Sequence, residues 1–326
     1  MTRQIRTLLG ASVLALALTG PIIAPSQLLA ATTTQTVTQH FTQVQFRSEK
    51  INGIKIAYRE AGDPAKPTVL LLHGFPTSSH MFRNLIPQLS SKYHVIAPDY
   101  PGFGASDMPQ AKDFEYSFAN IAKMMTTLLD RKKVDRYSVY LMDYGAPVGF
   151  RMYAANPERV SGFIIQNGNA YKEGLRKFWD PIKAYWAAPT KKNGDKLRGF
   201  FKLGATKWQF THGTQNPDAI SPDNFWHVQY LLDRPGNQEV QLELFLDYGT
   251  NVGEYPKWQA LFRKHQTPAL LMWGKNDPIF PEEGAHPYKR DLKNLEFHTL
   301  DTGHFALEEF GSKIAERMTK FLARIN

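Results

Sequence analysis

Leu141-Met142-Asp143-Tyr144-Gly145-Ala146-Pro147-Val148-Gly149 is the stretch whose reading decides the fold. A β-prone run, Tyr137 to Leu141, leads into it, and a helix opens out of it. An aspartate stands at the turn between the two. Aspartate is a favoured helix N-cap, because its carboxylate accepts the free N–H groups of the first turn. It is also a nucleophile: a carboxylate that attacks an electrophilic carbon leaves an ester, which water must then cleave. Read that way, Asp143 points to the opening of a carbon–oxygen or carbon–halogen bond, not to ordinary esterase or peptidase chemistry.

The segments around this turn repeat its rhythm. Phe41–Arg47 and Ile51–Arg59 read as extended, with Asn52-Gly53 as a hairpin signal at the start of the second. Thr68–Leu72 is an almost wholly apolar strand, and a helix is expected around Met81–Ser90. The strand His94–Pro98, helical spacing over Phe118–Leu129, a helix from the Asp143 turn through Ala155, and the strand Val160–Gln166 follow. Such alternation predicts an α/β fold with a mostly parallel, doubly wound sheet. From Ala170 to Trp258 the chain turns aromatic and basic, with helical patches and no clear strand. The alternation resumes with Pro268–Trp273, Leu295–Leu300 and a closing helix from Phe305 to Leu322. The expected organisation is a first core part over residues 32–169, a helical cap inserted over 170–258, and a second core part over 259–326.

Residues 1–31 read as a secretory signal peptide. Arg3 and Arg6 give the positive start, Leu8 to Leu18 is an apolar run too short to span a bilayer, and Pro21 ends it. Ala30 and Ala31 offer the cleavage site, so the expectation is a periplasmic or secreted protein; the alternative is an uncleaved anchor. The two arginines are not adjacent, which argues against twin-arginine export. The chain has 326 residues and no cysteine, which removes disulfides, thiolate catalysis and a lipoprotein anchor together. Hydrophobic content of 42% and aromatic content of 13% suit a globular protein with a large core. The net charge of +9 is concentrated. Residues 171–215 carry ten basic side chains against Glu173, Asp180 and Asp195. A basic surface of this kind weakly attracts anionic ligands or an anionic membrane face; the alternative is a solvated helical surface. Nucleic-acid binding needs a recognisable module, and none is present.

In open α/β sheets ligands and chemistry gather at the carboxyl ends of strands. Four turns stand at such ends: His73-Gly74-Phe75-Pro76, the turn at Asp143, Trp273-Gly274-Lys275-Asn276-Asp277, and Gly303-His304-Phe305-Ala306-Leu307-Glu308-Glu309. Asp277 precedes Pro278 and is also a natural turn cap. Asp301 is a rival acid, but it shares a short loop with His304. Glu308 and Glu309 fall in the closing helix and read as solvated or structural, and His73 reads as a support behind its loop. Gly102-Phe103-Gly104 resembles a dinucleotide motif, but its third glycine is missing and Asp107 stands instead. The remaining histidines carry no ligand spacing, so neither metal nor cofactor is expected.

With these motifs and Asp99 to Asp107, the chain resembles the α/β-hydrolase superfamily over nearly all of its length after the leader. Within that superfamily it is similar to the aspartate-nucleophile branch of epoxide hydrolases and haloalkane dehalogenases. In α/β-hydrolases the strand-to-helix turn holds the nucleophile, and the order nucleophile, acid, histidine is that of the triad. The resemblance implies that Asp143 attacks carbon, that Asp277 orients His304, and that His304 activates water to split the alkyl-enzyme ester. It also implies an oxyanion hole from the backbone N–H groups of Phe75 and Tyr144.

The leaving group separates the two branches. An epoxide oxygen needs a proton donor, which epoxide hydrolases commonly supply from cap tyrosines; Tyr248 is the first candidate, with Tyr185 and Tyr255 beside it. A halide needs side-chain N–H donors. Dehalogenases usually present a tryptophan after the nucleophile and an asparagine beside the His-Gly loop, where this chain has Tyr144 and Phe75. Thr77-Ser78-Ser79 resembles dehalogenases, and Trp179, Trp186, Trp208 and Trp226 are candidate donors in the cap, the first two also as substrate-pocket residues. Tyr144 departs from the tryptophan common in both branches. The expected partner is a small apolar or amphipathic electrophile; the sequence sets no oligomeric state. Epoxide hydrolysis leads, dehalogenation is the alternative, and a binding protein on a hydrolase scaffold is a third reading, against which the intact triad argues.

Overall fold

The computed structural model describes residues 42–326. The expected leader over residues 1–31, with its expected cleavage site, lies outside the described residues.

Eight strands form one sheet among the described residues: β1 (Gln45–Ile51), β2 (Ile54–Ala61), β3 (Thr68–Leu72), β4 (His94–Pro98), β5 (Tyr137–Met142), β6 (Val160–Gln166), β7 (Ala269–Gly274) and β8 (Leu295–Leu300). Their spatial order is β1-β2-β4-β3-β5-β6-β7-β8. The pairs β1–β2 and β2–β4 are antiparallel and all later pairs are parallel. This is the expected mostly parallel, doubly wound sheet. Strands β3 to β7 are buried along their whole length, which explains their unbroken apolar runs.

Two local expectations are corrected. The first hairpin turn is Asn52-Gly53 itself, both at positive φ (50° and 84°), so β1 runs on to Ile51 and β2 begins only at Ile54. The helix expected over Met81–Ser90 is two pieces, a 3-10 turn at Ser79–Phe82 and a single turn at Ile86–Leu89. Pro87 has no N–H to give to a preceding turn, so it fits only at the start of a new helix.

The helices of two turns or more before the insertion are α1 (Phe118–Arg131) and α2 (Gly145–Ala155). Between β6 and β7 come α3 (Asp180–Ala187), α4 (Lys191–Leu197), α5 (Leu203–Thr211), α6 (Pro222–Leu232) and the 29-residue α7 (Asn237–His265). The chain closes on α8 (Ala306–Ile325). No strand interrupts the helices from β6 to β7 among the described residues. The division drawn after Trp258 falls inside α7, because Trp258 and Phe262 continue one face of that helix onto Phe150 of α2. Side chains fix the helical layer to the sheet domain. Asp247 Oδ2 of α7 accepts the first N–H of α1, from Phe118, at 2.7 Å. Glu308 of α8 accepts two N–H bonds from Arg83 and one from Asn224 Nδ2 of α6.

Candidate active site

Asp143 follows β5 directly and has φ 49°, a left-handed conformation that aspartate tolerates better than most residues. The kink turns its side chain toward the loop after β3 and away from the helix start. Its Oδ1 accepts N–H bonds from Phe75 and Tyr144, each at 2.6 Å. Asp143 is therefore not an N-cap of α2 in the ordinary sense, since neither donor lies in the helix's second or third position. The two chain segments come this close because residue 74 is glycine. A Cβ there would lie 2.3 Å from the Asp143 Cβ.

Behind the loop, His73 stacks on Tyr100 with ring centroids 4.0 Å apart, and its Nε2 accepts the Tyr100 N–H at 3.3 Å. Burial holds its pKa down to about 4, so it is a neutral acceptor.

Asp277 follows β7 and His304 follows β8. His304 Nδ1 donates to Asp277 Oδ2 at 2.7 Å, and Asp277 Oδ1 accepts the Ile279 N–H at 2.8 Å. That bond leaves His304 Nε2 facing Asp143, 3.8 Å from Oδ2, with no hydrogen-bond partner among the described residues. Asp143, Asp277 and His304 are each at most 4% exposed. Burial raises the Asp143 pKa to about 6, although His304 and the two N–H donors pull it down. Burial lowers that of His304, but the charge and hydrogen bond of Asp277, with the charge of Asp143, carry it above its ordinary value. Asp301, the rival acid, faces the other way: it meets Lys275 at 3.2 Å and Asn276 Nδ2 at 3.0 Å.

Two residues that the sequence reading passed over complete this network. Asn167, just past β6, donates from Nδ2 to the same Asp277 Oδ2 at 2.8 Å, and its Oδ1 accepts the Gly274 N–H. Gln166 Nε2 donates to the His304 carbonyl at 2.7 Å and to Asn167 Oδ1 at 3.1 Å. Their signal was position alone, since both close a buried strand. Among the described residues no group of three His, Asp or Glu side chains is arranged to hold a metal ion.

Above Asp143 the helices leave a cavity of about 20 Å³. Phe75 and Tyr144 form its floor with Asp143, and Trp179, Ile182, Phe245 and Gln209 are among its other walls. Tyr248 is buried beside it, its ring 4.6 Å from that of Trp179 and 6.0 Å from that of Tyr144. The Asp143 charge and the neighbouring Tyr255 hydroxyl both act on Tyr248, and burial is the main cause that raises its pKa far above the usual range.

The other aromatic candidates are elsewhere. Tyr255 stands behind Tyr248 on α7, its oxygen accepting Asn169 Nδ2 at 3.1 Å. Tyr185 is turned toward α4, against Gly194, because Ile182 takes the inward face of α3. Trp186 does not line the cavity. It stacks on the outer side of Tyr248 and faces a separate cleft of about 1020 Å³ that Tyr116, Asp247 and Gly249 also line. Both indole N–H groups are committed, Trp179 to the Ile279 carbonyl and Trp186 to that of Phe245, each at 2.7 Å. Trp208 stacks on Phe178, and Trp226 is 58% exposed.

Residues 67–310 match the family described as alpha/beta hydrolase fold. The chain is 41% identical over 288 residues to an uncharacterized hydrolase of Saccharomyces cerevisiae, YNR064C, covering 87% of this chain and 97% of that protein. It is 37% identical over 288 residues to a haloalkane dehalogenase of Mesorhizobium japonicum, covering 83% and 88%. Among solved structures, the epoxide hydrolase CorEH superposes with a TM-score of 0.70 at 21% identity, covering 87% of this chain and all of that one, a likeness of fold.

Proposed function

The chain is an enzyme of the α/β-hydrolase family, and we propose that within it the reaction runs through an aspartyl alkyl ester on Asp143, with epoxide hydrolysis as the overall chemistry. The observation that carries this reading is the division of labour between the two oxygens of one carboxylate. Oδ1 is held by two backbone N–H groups, and Oδ2 is the one turned to His304.

Asp143 Oδ2 attacks a ring carbon of the epoxide. The ring C–O bond breaks, the leaving oxygen takes the Tyr248 proton, and a hydroxyalkyl ester forms. His304 Nε2 then takes a proton from water as the resulting hydroxide adds to the ester carbonyl carbon. Negative charge builds on the former Oδ1, where the Phe75 and Tyr144 N–H groups already point. Asp277 stabilises the imidazolium that forms. Collapse releases the diol, whose oxygen leaves with the proton from His304, and leaves Asp143 as a carboxylic acid, whose proton passes through solvent to the Tyr248 phenolate. Residues 170–258 act as the cap that keeps bulk water from the ester, and the basic, apolar leader over residues 1–31 supports export of the enzyme.

Dehalogenation is the second reading, supported by the identity to the Mesorhizobium dehalogenase. Against it stand the committed tryptophan donors: the indole in the wall of the Asp143 cavity, that of Trp179, is bound to a carbonyl, as is that of Trp186.

The test replaces His304 with glutamine, so that the first half-reaction survives and the second stalls. After incubation with epoxides and haloalkanes the intact protein is weighed. An epoxide ester adds the whole substrate mass, and a haloalkane ester adds only the alkyl group. An adduct on a serine, or none from either panel, sinks the reading.

A further inference from the structure

Gln209 lies on α5, in the wall of the cavity that holds Asp143. It is 5% exposed, and its side-chain amide makes no hydrogen bond with any described residue. Two polar neighbours on the cap helices are satisfied. Thr206, one turn earlier, donates to Gln229 Oε1 at 2.8 Å, and Gln229 Nε2 donates to the Phe201 carbonyl and to Asp233. The amide meets the cavity and no partner among the described residues, so an apolar side chain would serve as wall there without the loss of any hydrogen bond. Of the cavity walls, Phe178, Ile182, Phe200 and Phe245 offer no side-chain partner, and neither Asp143 nor the unpaired Tyr144 hydroxyl bonds to the amide. The missing partner is a group the substrate brings.

The chemistry of an amide narrows that group. Its nitrogen donates and its oxygen accepts, so both ends need satisfying. A halide or an ether oxygen accepts only, and leaves the amide carbonyl buried and unpaired. A hydroxyl both accepts and donates at one point. A carboxylate has no cation among the cavity walls and would stand beside the charge of Asp143. We propose that Gln209 binds a neutral hydroxyl group of the substrate, so that the enzyme prefers small epoxides carrying an alcohol next to the ring. This inference rests on the Asp143 ester mechanism.

Glycidol and 1,2-epoxybutane differ only by a hydroxyl in place of a methyl, and both are offered to the full-length enzyme. The wild type is expected to show a higher kcat/KM for glycidol. Gln209→Leu and Gln209→Met are expected to lower the glycidol-to-epoxybutane ratio by about tenfold or more. A ratio taken within one preparation does not depend on the fraction that folds. An unchanged ratio in both variants overturns the proposal, as does a wild-type preference for epoxybutane. Equal slowing with both substrates puts Gln209 at the leaving oxygen instead and also overturns it. Failure of the mechanism itself looks different: the wild type opens neither epoxide, His304→Gln forms no ester with either, and the proposal falls with the mechanism.

Discussion

His304 Nε2 stops 3.8 Å short of Asp143 Oδ2, too far for a hydrogen bond and close enough for one water molecule to touch both atoms. A direct bond would tie the imidazole to the attacking oxygen and block approach to carbon. In the proposed mechanism the gap keeps Oδ2 available for the first step and Nε2 available for the second. The two groups therefore act in sequence, and their protonation can be read separately.

Ester formation requires ionised Asp143, whose pKa burial raises to about 6. Its rate is expected to fall as pH drops through about 6. Ester hydrolysis requires neutral His304, whose pKa Asp277 and Asp143 lift above 6.5 against the pull of burial. Once Asp143 is esterified its charge is gone, and the His304 value relaxes downward. Rapid-quench single turnovers against pH measure both steps. The hydrolytic step is expected to slow on acidification as His304 takes up its proton; a hydrolytic rate that climbs at low pH refutes the assignment of His304 as base.

Asp143→Asn is expected to stabilise the protein, and only above mildly acidic pH. The native pKa of about 6 exceeds the ordinary 3.8, so the native state holds the Asp143 proton more tightly than the unfolded chain does. That contribution is complete below pH about 4 and is lost as pH rises through about 6, at a cost on the order of 3 kcal/mol. Asparagine keeps an oxygen for the Phe75 and Tyr144 N–H groups and carries no charge. Denaturant titrations at pH 4 and pH 7.5 check this. A gain of equal size at both values contradicts the electrostatic account.

The sequence made Asp143, Asp277 and His304 legible because each signal was local, an acid or histidine in a turn just beyond an apolar strand. The same rule reaches Asn167, which ends β6, but an amide has no proton chemistry and drew no notice. The roofing side chains were not legible. Whether Tyr185 or Ile182 faces Asp143 depends on how α3 is rotated against α4 and α7, and that is set by contacts far away in sequence. The indole donors of Trp179 and Trp186 are consumed by carbonyls 100 and 59 residues away. Gln209 sits on a helix whose polar and apolar residues mark no clear face. The apolar run over residues 8–18 and the aromatic insertion were clear as composition, but composition gives no contacts.

Asn167→Gly isolates the support beneath the acid. Asn167 has φ 46°, which glycine adopts freely, so the exchange removes the amide without straining the backbone. Asp277 Oδ2 then loses one of its two donors, and the Gly274 N–H and Gln166 Nε2 lose an acceptor. Stability is expected to fall by about 2–3 kcal/mol. With one donor gone, more of the Asp277 charge is left to hold the His304 proton. The pH midpoint of ester hydrolysis is therefore expected to move upward, while ester formation keeps its profile. A loss of stability with no movement of that midpoint makes Asn167 a packing residue and nothing more.

Tyr248→Phe separates epoxide from halide. The Tyr248 hydroxyl is buried near Asp143, and burial, the neighbouring Tyr255 and the Asp143 charge keep it protonated at neutral pH. An epoxide opened without a proton leaves an alkoxide in an apolar cavity, so removing the donor is expected to slow ester formation from 1,2-epoxybutane by about 10²–10⁴-fold. A bromide leaves without a proton, and ester formation from 1-bromobutane is not expected to depend on the hydroxyl. Tyr255→Phe is expected to have the smaller effect on epoxides, because its oxygen is held by Asn169 and it reaches the site only through Tyr248. Both variants are best measured in the His304→Gln background, where the mass of the trapped ester reports the first step alone. Epoxide ring opening that survives Tyr248→Phe removes Tyr248 as the donor. Fast ester formation from the bromide with none from the epoxide in the His304→Gln enzyme turns the assignment to dehalogenation.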